Sequence, residues 1–344
     1  NWAIFANGIA YRLTINKDFS VTHLCIWNSS NPSRPAWNHS AKAQPNPAKR
    51  LRPRAPLILH EICGFCVAPS QPVLTSTKAF HRTSIMTLED IVNLTNHPIG
   101  QSSFADACRT TLDDDGVLVL SNFIRAEALA ALRAESKKSQ NKAYFCAQSH
   151  SVYLGPPDPS LPDSHAYNRQ VLSSKGCICD DDISANSPLR VLYNDSSFRH
   201  FIASVTGQTE LHPYADSLSS INIHYAGRGQ ELGWHFDNSS FAITLLIQKP
   251  PSGSRFEYIE NLRDADAGDM NFDGVQSLLD GETQPQVLAM QEGDLVLFRG
   301  RNSIHRVSPN ESDTTRMLAV LAYNAEAGVD LSESARMTFY GRLE

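Results

Sequence analysis

No stretch of this sequence is apolar for long enough to cross a membrane as a helix, which takes about 20 residues. Nor does it open on a basic start followed by an apolar core, so no secretory leader is read. The seven cysteines are odd in number and irregularly spaced, which does not make a disulfide framework and fits a reducing compartment. Cys63-Gly-Phe-Cys66 has the spacing of a redox or zinc pair but lacks the second pair that a zinc site would need. Internal repeats are absent. Acids are scarce only at one end: residues 1–85 hold ten Lys/Arg and two acids, a net charge of +8. Residues 86–344 hold twenty Lys/Arg and thirty-four acids, a net charge of −14, which argues against a nucleic acid as partner of the main body.

The break falls at Met86, the first methionine. Before it the chain is rich in Asn, Ser and Pro without sustained periodicity, and 31–56 reads as disordered. Residues 1–85 are therefore expected to be a disordered or non-native extension; an organellar presequence and a flexible binding tail are the other readings. A cytoplasmic location is expected, or a mitochondrial one if the presequence is genuine.

What is present after Met86 is foldable. Apolar spacing predicts helices over 102–112, 126–138 and 196–205, the last capped by Asp195 and stopped by Gly207. Val117 to Leu120 reads as a buried strand, and proline-rich 150–165 as loop. Cys177 and Cys179, just before three aspartates, read as a solvated loop. Short strands are predicted over 220–225, 233–237, 241–248, 255–259, 286–289, 294–299, 305–307 and 316–323, punctuated by Gly, Pro and Asn turns. Strands following a helical preface give an α+β class: a β-sandwich of jelly-roll type, at about 218–325, with helices packed on one sheet.

The sharpest local pattern is Gly233-Trp-His235-Phe-Asp237. Alternation on a strand puts His235 and Asp237 on one face and Trp234 and Phe236 on the other, where they read as core. An imidazole and a carboxylate from one stiff element supply two ligands. A third from another strand would complete the two-His, one-carboxylate face used by non-haem iron(II), leaving positions open. Downstream, a Gly-Asp turn enters an apolar strand, a short loop follows, and His305 opens the next strand. Eleven residues on stands Arg316, whose fork can hold a carboxylate by two parallel hydrogen bonds.

His235, Asp237, His305 and Arg316 together resemble the core of the Fe(II)/2-oxoglutarate-dependent oxygenase superfamily. The resemblance covers most of 100–344 and none of 1–85. Within it, the stretches around His235 and His305 resemble a branch related to free-amino-acid hydroxylases and halogenases. It implies a double-stranded β-helix (jelly-roll) fold, with Fe(II) on His235, Asp237 and His305, 2-oxoglutarate on Arg316, and O2 as oxidant. Asn222 and Tyr225 are candidate co-substrate contacts, although alternation puts Asn222 and His224 on one face and Tyr225 on the other. In radical halogenases of the branch a small residue replaces the carboxylate ligand. Asp237 is present here, so the resemblance implies hydroxylation or a related oxidation of a small molecule. Arg299, Arg301 and Arg306 read as solvated charges. The loops around 145–185 and 260–285 are expected to choose the substrate. Two rival readings stay open at this point: a cupin-like jelly roll holding another divalent metal for isomerase or hydrolase chemistry, and a non-catalytic binding sandwich. The first leaves Arg316 without a task; the second predicts no tight metal. Oligomeric state is not legible.

Overall fold

The computed structural model describes residues 86–344 and, before them, the backbone of three antiparallel strands, β1 (Trp2–Ala6), β2 (Ile9–Ile15) and β3 (Val21–Trp27). The rest of 1–85, with Cys63 and Cys66 and most of the stretch read as an extension, lies outside the described residues. The chain divides into two units, Asn1–Thr83 and Ser84–Glu344. Among the described residues no helix is long and apolar enough to cross a membrane.

The second unit begins with α1 (Leu88–Ile91), α2 (Ser102–Asp115), β4 (Val117–Leu120) and α3 (Ala126–Ser139). It continues with β5 (Tyr144–Ser151), β6 (Gln170–Ile178), α4 (Pro188–Asn194) and α5 (Ser196–Thr206). Asp195 caps α5 by accepting from the Ser197 and Phe198 amides at 2.8 and 3.0 Å. The β-rich part follows: β7 (Ile221–Ala226), β8 (Leu232–His235), β9 (Ala242–Gln248) and β10 (Phe256–Ile259). Then come α6 (Phe272–Leu279), β11 (Gln286–Leu288), β12 (Leu295–Phe298), β13 (Ile304–Val307), β14 (Arg316–Leu321) and α7 (Glu333–Tyr340).

The strands of this unit form two antiparallel sheets, a major one ordered β4-β12-β9-β14-β7-β6-β5 and a minor one ordered β11-β10-β13-β8. Period-two alternation divides each strand's work. On the major sheet Ile223, Tyr225, Leu245, Leu297, Met317 and Ala319 share one core with the helices, including Leu132, Leu189 and Phe198. Each of the large aliphatic and Phe side chains among them, once buried, contributes about 2 kcal/mol, so helices and sheet hold together chiefly through this face. The opposite face of the major sheet turns Val117, Leu246, Val296, Phe298 and Leu318 towards Tyr258 of the minor sheet. Behind the minor sheet, Trp234, Phe236 and Ile304 pack on Val275 and Leu278 of α6.

Three sequence expectations change. Residues 144–178, read mostly as loop, carry β5 and β6, and 260–285 carries α6. Cys177 and Cys179 are not solvated: they are 2% and 3% exposed, packed with Leu218 and Tyr340. The β6 sequence lacks apolar alternation because its inner face, with Ser173, Lys175 and Cys177, adjoins the polar groups described next rather than the apolar core.

Candidate metal centre

His235 on β8 lies in register with His305 on β13, so adjacent antiparallel strands present the two rings to each other, centroids 4.1 Å apart. Asp237 follows just past the end of β8. Its Oδ1 lies 3.6 Å from His235 Nε2 and 3.7 Å from His305 Nε2. One ligand atom from each of the three lies within 4.8 Å of the others.

The polarity of each ring is set by its far nitrogen. His235 Nδ1 donates to the Gly233 carbonyl at 2.8 Å, and His305 Nδ1 to the Ser303 carbonyl at 3.1 Å. Both Nε2 atoms are thereby left with lone pairs aimed at the shared space, the tautomer a metal ligand needs. Burial, and then neighbouring His305, push the His235 imidazole well below the ordinary histidine range, which keeps it neutral. Phe298 meets the His305 ring edge-on at 4.8 Å and fixes its orientation.

Asp237 supplies the fit test for an ion. Its amide donates to the Gly300 carbonyl at 3.0 Å, but its Oδ2 is buried without any hydrogen-bond partner. A buried carboxylate oxygen left unpaired is costly, and a divalent cation between three such ligands removes that cost. Space for the carboxylate depends on Gly300: a Cβ there would clash with Asp237 Oδ2 and stand 2.9 Å from His305 Cε1. The donor set, two nitrogens and one oxygen, suits iron(II).

Arg316 opens β14, paired with Ala226 of β7, on the inner face of the major sheet. It is 7% exposed, and no carboxylate among the described residues pairs with it. Burial alone pushes its guanidinium down to about 10. The other two co-substrate candidates are placed differently. Asn222 shares the inner face, but its amide nitrogen donates to the Leu218 and Ile221 carbonyls at 2.9 and 2.8 Å, and its oxygen accepts from Tyr340 at 2.9 Å. Tyr225 points to the helices, where its hydroxyl donates to the Ser136 carbonyl of α3 at 2.9 Å. The structure does not bring Tyr225 to the centre, because an odd step along β7 reverses the face. Arg299, Arg301 and Arg306 are engaged by Asp113, Asp266 and Glu257.

Sequence reading passed over three groups nearby. His150 shares a hydrogen bond with Ser173 Oγ at 2.6 Å and sets its ring edge-on to His235, centroids 6.4 Å apart. Arg263 is buried, its guanidinium 4.0 Å over the Phe236 ring and its Nε donating to the Arg301 carbonyl at 2.8 Å. Lys175 lies 3.3 Å from His224 Nδ1. His150 and Lys175 lie in the stretch read as loop, whose face assignment only the strand register reveals.

A family model described as HalD, Halogenase D, matches residues 168–339. No curated protein matches the chain. Among solved structures, a 2OG-Fe(II) oxygenase family oxidoreductase from Burkholderia pseudomallei is 14% identical, with a TM-score of 0.43, covering 66% of this chain and 93% of its own. The non-heme alpha ketoglutarate dependent epimerase SnoN from nogalamycin biosynthesis is 12% identical, with a TM-score of 0.46, covering 65% of this chain and 84% of its own. A Pseudomonas putida prolyl-4-hydroxylase is 13% identical, with a TM-score of 0.38, covering 63% of this chain and 96% of its own.

Proposed function

The chain belongs to the Halogenase D family, and from that premise we propose that it is an iron(II)- and 2-oxoglutarate-dependent oxygenase that oxidises an unactivated C–H bond of a small molecule. Hydroxylation is the outcome we assign, with release of succinate and carbon dioxide, and an amino acid or derivative is the substrate class the resemblance favours. The fold we assign is the double-stranded β-helix: from β7 to β14 the chain passes back and forth between the two facing sheets, save for the β10–β11 hairpin, which stays within the minor sheet.

One observation carries the reading. Two imidazoles and a carboxylate with one unpartnered oxygen converge on one space, and the same interior holds a buried guanidinium without an acid. Zinc-type isomerase or hydrolase chemistry would use the first feature and leave the second idle. A dicarboxylic co-substrate uses both, since its distal carboxylate matches the fork of Arg316.

His235, Asp237 and His305 would hold the iron, and Arg316 would take the distal carboxylate of 2-oxoglutarate. Bound iron with 2-oxoglutarate supplies dioxygen activation and the oxidising power for C–H cleavage. The chain's own residues bind and orient. Gly233 and Ser303 carbonyls hold the imidazoles in their metal-binding tautomer. Phe256 and Phe298 wall His305 and exclude water from that side. Asp237 supports hydroxylation over halogenation because it fills the ligand position that a halide would require.

The test is an anaerobic titration of metal-free protein with iron(II) and then 2-oxoglutarate, followed by visible absorption. The weak band of an iron-chelated oxo-acid is the expected result. Its absence from protein shown to be iron-loaded would overturn the assignment.

A further inference from the structure

Two long cations share one row of the inner sheet face. Arg316 of β14 pairs with Ala226 of β7. On the other side of β7, Gly176 of β6 pairs with Tyr225, so Lys175 falls beside the same Ala226. The row thus reads lysine, alanine, arginine across three strands, with the small residue leaving a groove between the two stems. Antiparallel neighbours lie about 4.8 Å apart, so the two backbones stand about 10 Å from each other and both heads can reach one ligand between them.

Lys175 has no obvious structural employer. No carboxylate among the described residues forms an ion pair with it; its Nζ lies 3.3 Å from His224 Nδ1 and 5.0 Å from the centre of the Phe339 ring. Burial disfavours its charged form; Cys177, Cys146 and Asp237 favour it, and Arg316 opposes it. His224, between the two cations on the same face, is itself held neutral by burial and then by Lys175 and Arg316. Two cations side by side on one sheet face, with no anion between them, repel each other, so the arrangement favours a ligand carrying negative charge.

We propose that Lys175 is a second anchor for the co-substrate, with its ammonium directed by His224 onto the same distal carboxylate that Arg316 holds. This rests on the reading of 2-oxoglutarate as co-substrate. A guanidinium fork saturates one edge of a carboxylate and leaves lone pairs on its far side; an ammonium has three donors, and with one on His224 two remain. His224 acts as a positioning residue, since a neutral imidazole accepts from the ammonium without competing for the anion.

The test uses calorimetry on the full chain loaded with Mn(II), titrating 2-oxoglutarate and, separately, 2-oxopentanoate, which keeps the oxo-acid end and lacks the distal carboxylate. Lys175→Met should weaken 2-oxoglutarate binding by about ten- to a hundredfold, the range of one charged hydrogen bond. It should leave 2-oxopentanoate unchanged, and Lys175→Arg should recover part of the loss. An unchanged 2-oxoglutarate affinity in Lys175→Met would overturn the proposal, as would equal losses for both oxo-acids, which would mark general damage to the site. Wild-type protein that binds Mn(II) but neither oxo-acid would instead remove the underlying reading, with Lys175 along with it.

Discussion

Asp237 occupies the space that a side chain at residue 300 would fill: a Cβ on Gly300 would lie 2.6 Å from Asp237 Cγ. The loop after β12 thus contributes to the centre by what it lacks. Gly300→Ala should weaken binding of Fe(II) or Mn(II) at least about tenfold, as disturbed supporting residues of a metal site do. Metal content after dialysis against a graded chelator measures it, and wild-type retention would show that the carboxylate can move aside.

Removing the carboxylate itself separates the two chemistries of the branch. Asp237→Gly should abolish coupled hydroxylation. In this variant chloride should perturb the visible band of the anaerobic iron(II)–2-oxoglutarate complex, while the wild-type band stays indifferent to chloride. A chloride response in the wild type would contradict the assignment of Asp237 as a ligand.

Arg316→Ala should raise the dissociation constant for 2-oxoglutarate by about ten- to a hundredfold, since a charge-assisted, bidentate contact is lost. Metal affinity in the absence of co-substrate should hold, because Arg316 is not among the three residues grouped to hold an ion. Calorimetry of each ligand separately reads both.

Tyr225→Phe should behave as a fold variant. The hydroxyl bonds to the Ser136 carbonyl, so its loss should cost about 1 kcal/mol of stability, measurable by urea unfolding. The dissociation constant for 2-oxoglutarate should not change.

Acid should weaken the metal-free protein through His224. Burial, then Lys175 and Arg316, hold this imidazole well below its ordinary 6.5. The unfolded chain therefore binds a proton that the folded chain refuses, so stability is intact above about pH 6.5 and falls as the pH drops below it. His224→Gln should flatten the fall in melting temperature between about pH 6.5 and about pH 5. An unaltered slope would show that other groups carry it.

The parts of this site that were legible in the sequence are those governed by strand alternation. His235 and Asp237 are two residues apart and face the same way even though β8 itself ends at His235. His305 and Arg316 stood out because each lies at the start of an apolar strand after a turn, His305 one residue into β13. The α+β class followed from the change in texture at β7. By contrast, β5 hid because it is a largely exposed edge strand, and β6 because its inner face carries Ser173, Lys175 and Cys177 where a core strand carries Val and Leu. Lys175 could not be found without the register that sets it beside Ala226. The paired state of Asn222 was equally hidden: its partner Tyr340 comes from α7, over a hundred residues away in the chain.

The register of His235 with His305 has a mechanical side as well. An ion gripped by both rings is a rivet through two neighbouring strands, and β8 is the edge strand of its sheet. Energy gained in holding the ion is then also energy that keeps this edge fastened. Iron-starved protein should show its fastest amide exchange along β8. Scarcity of iron would thus loosen the wall of the site as well as halt its turnover.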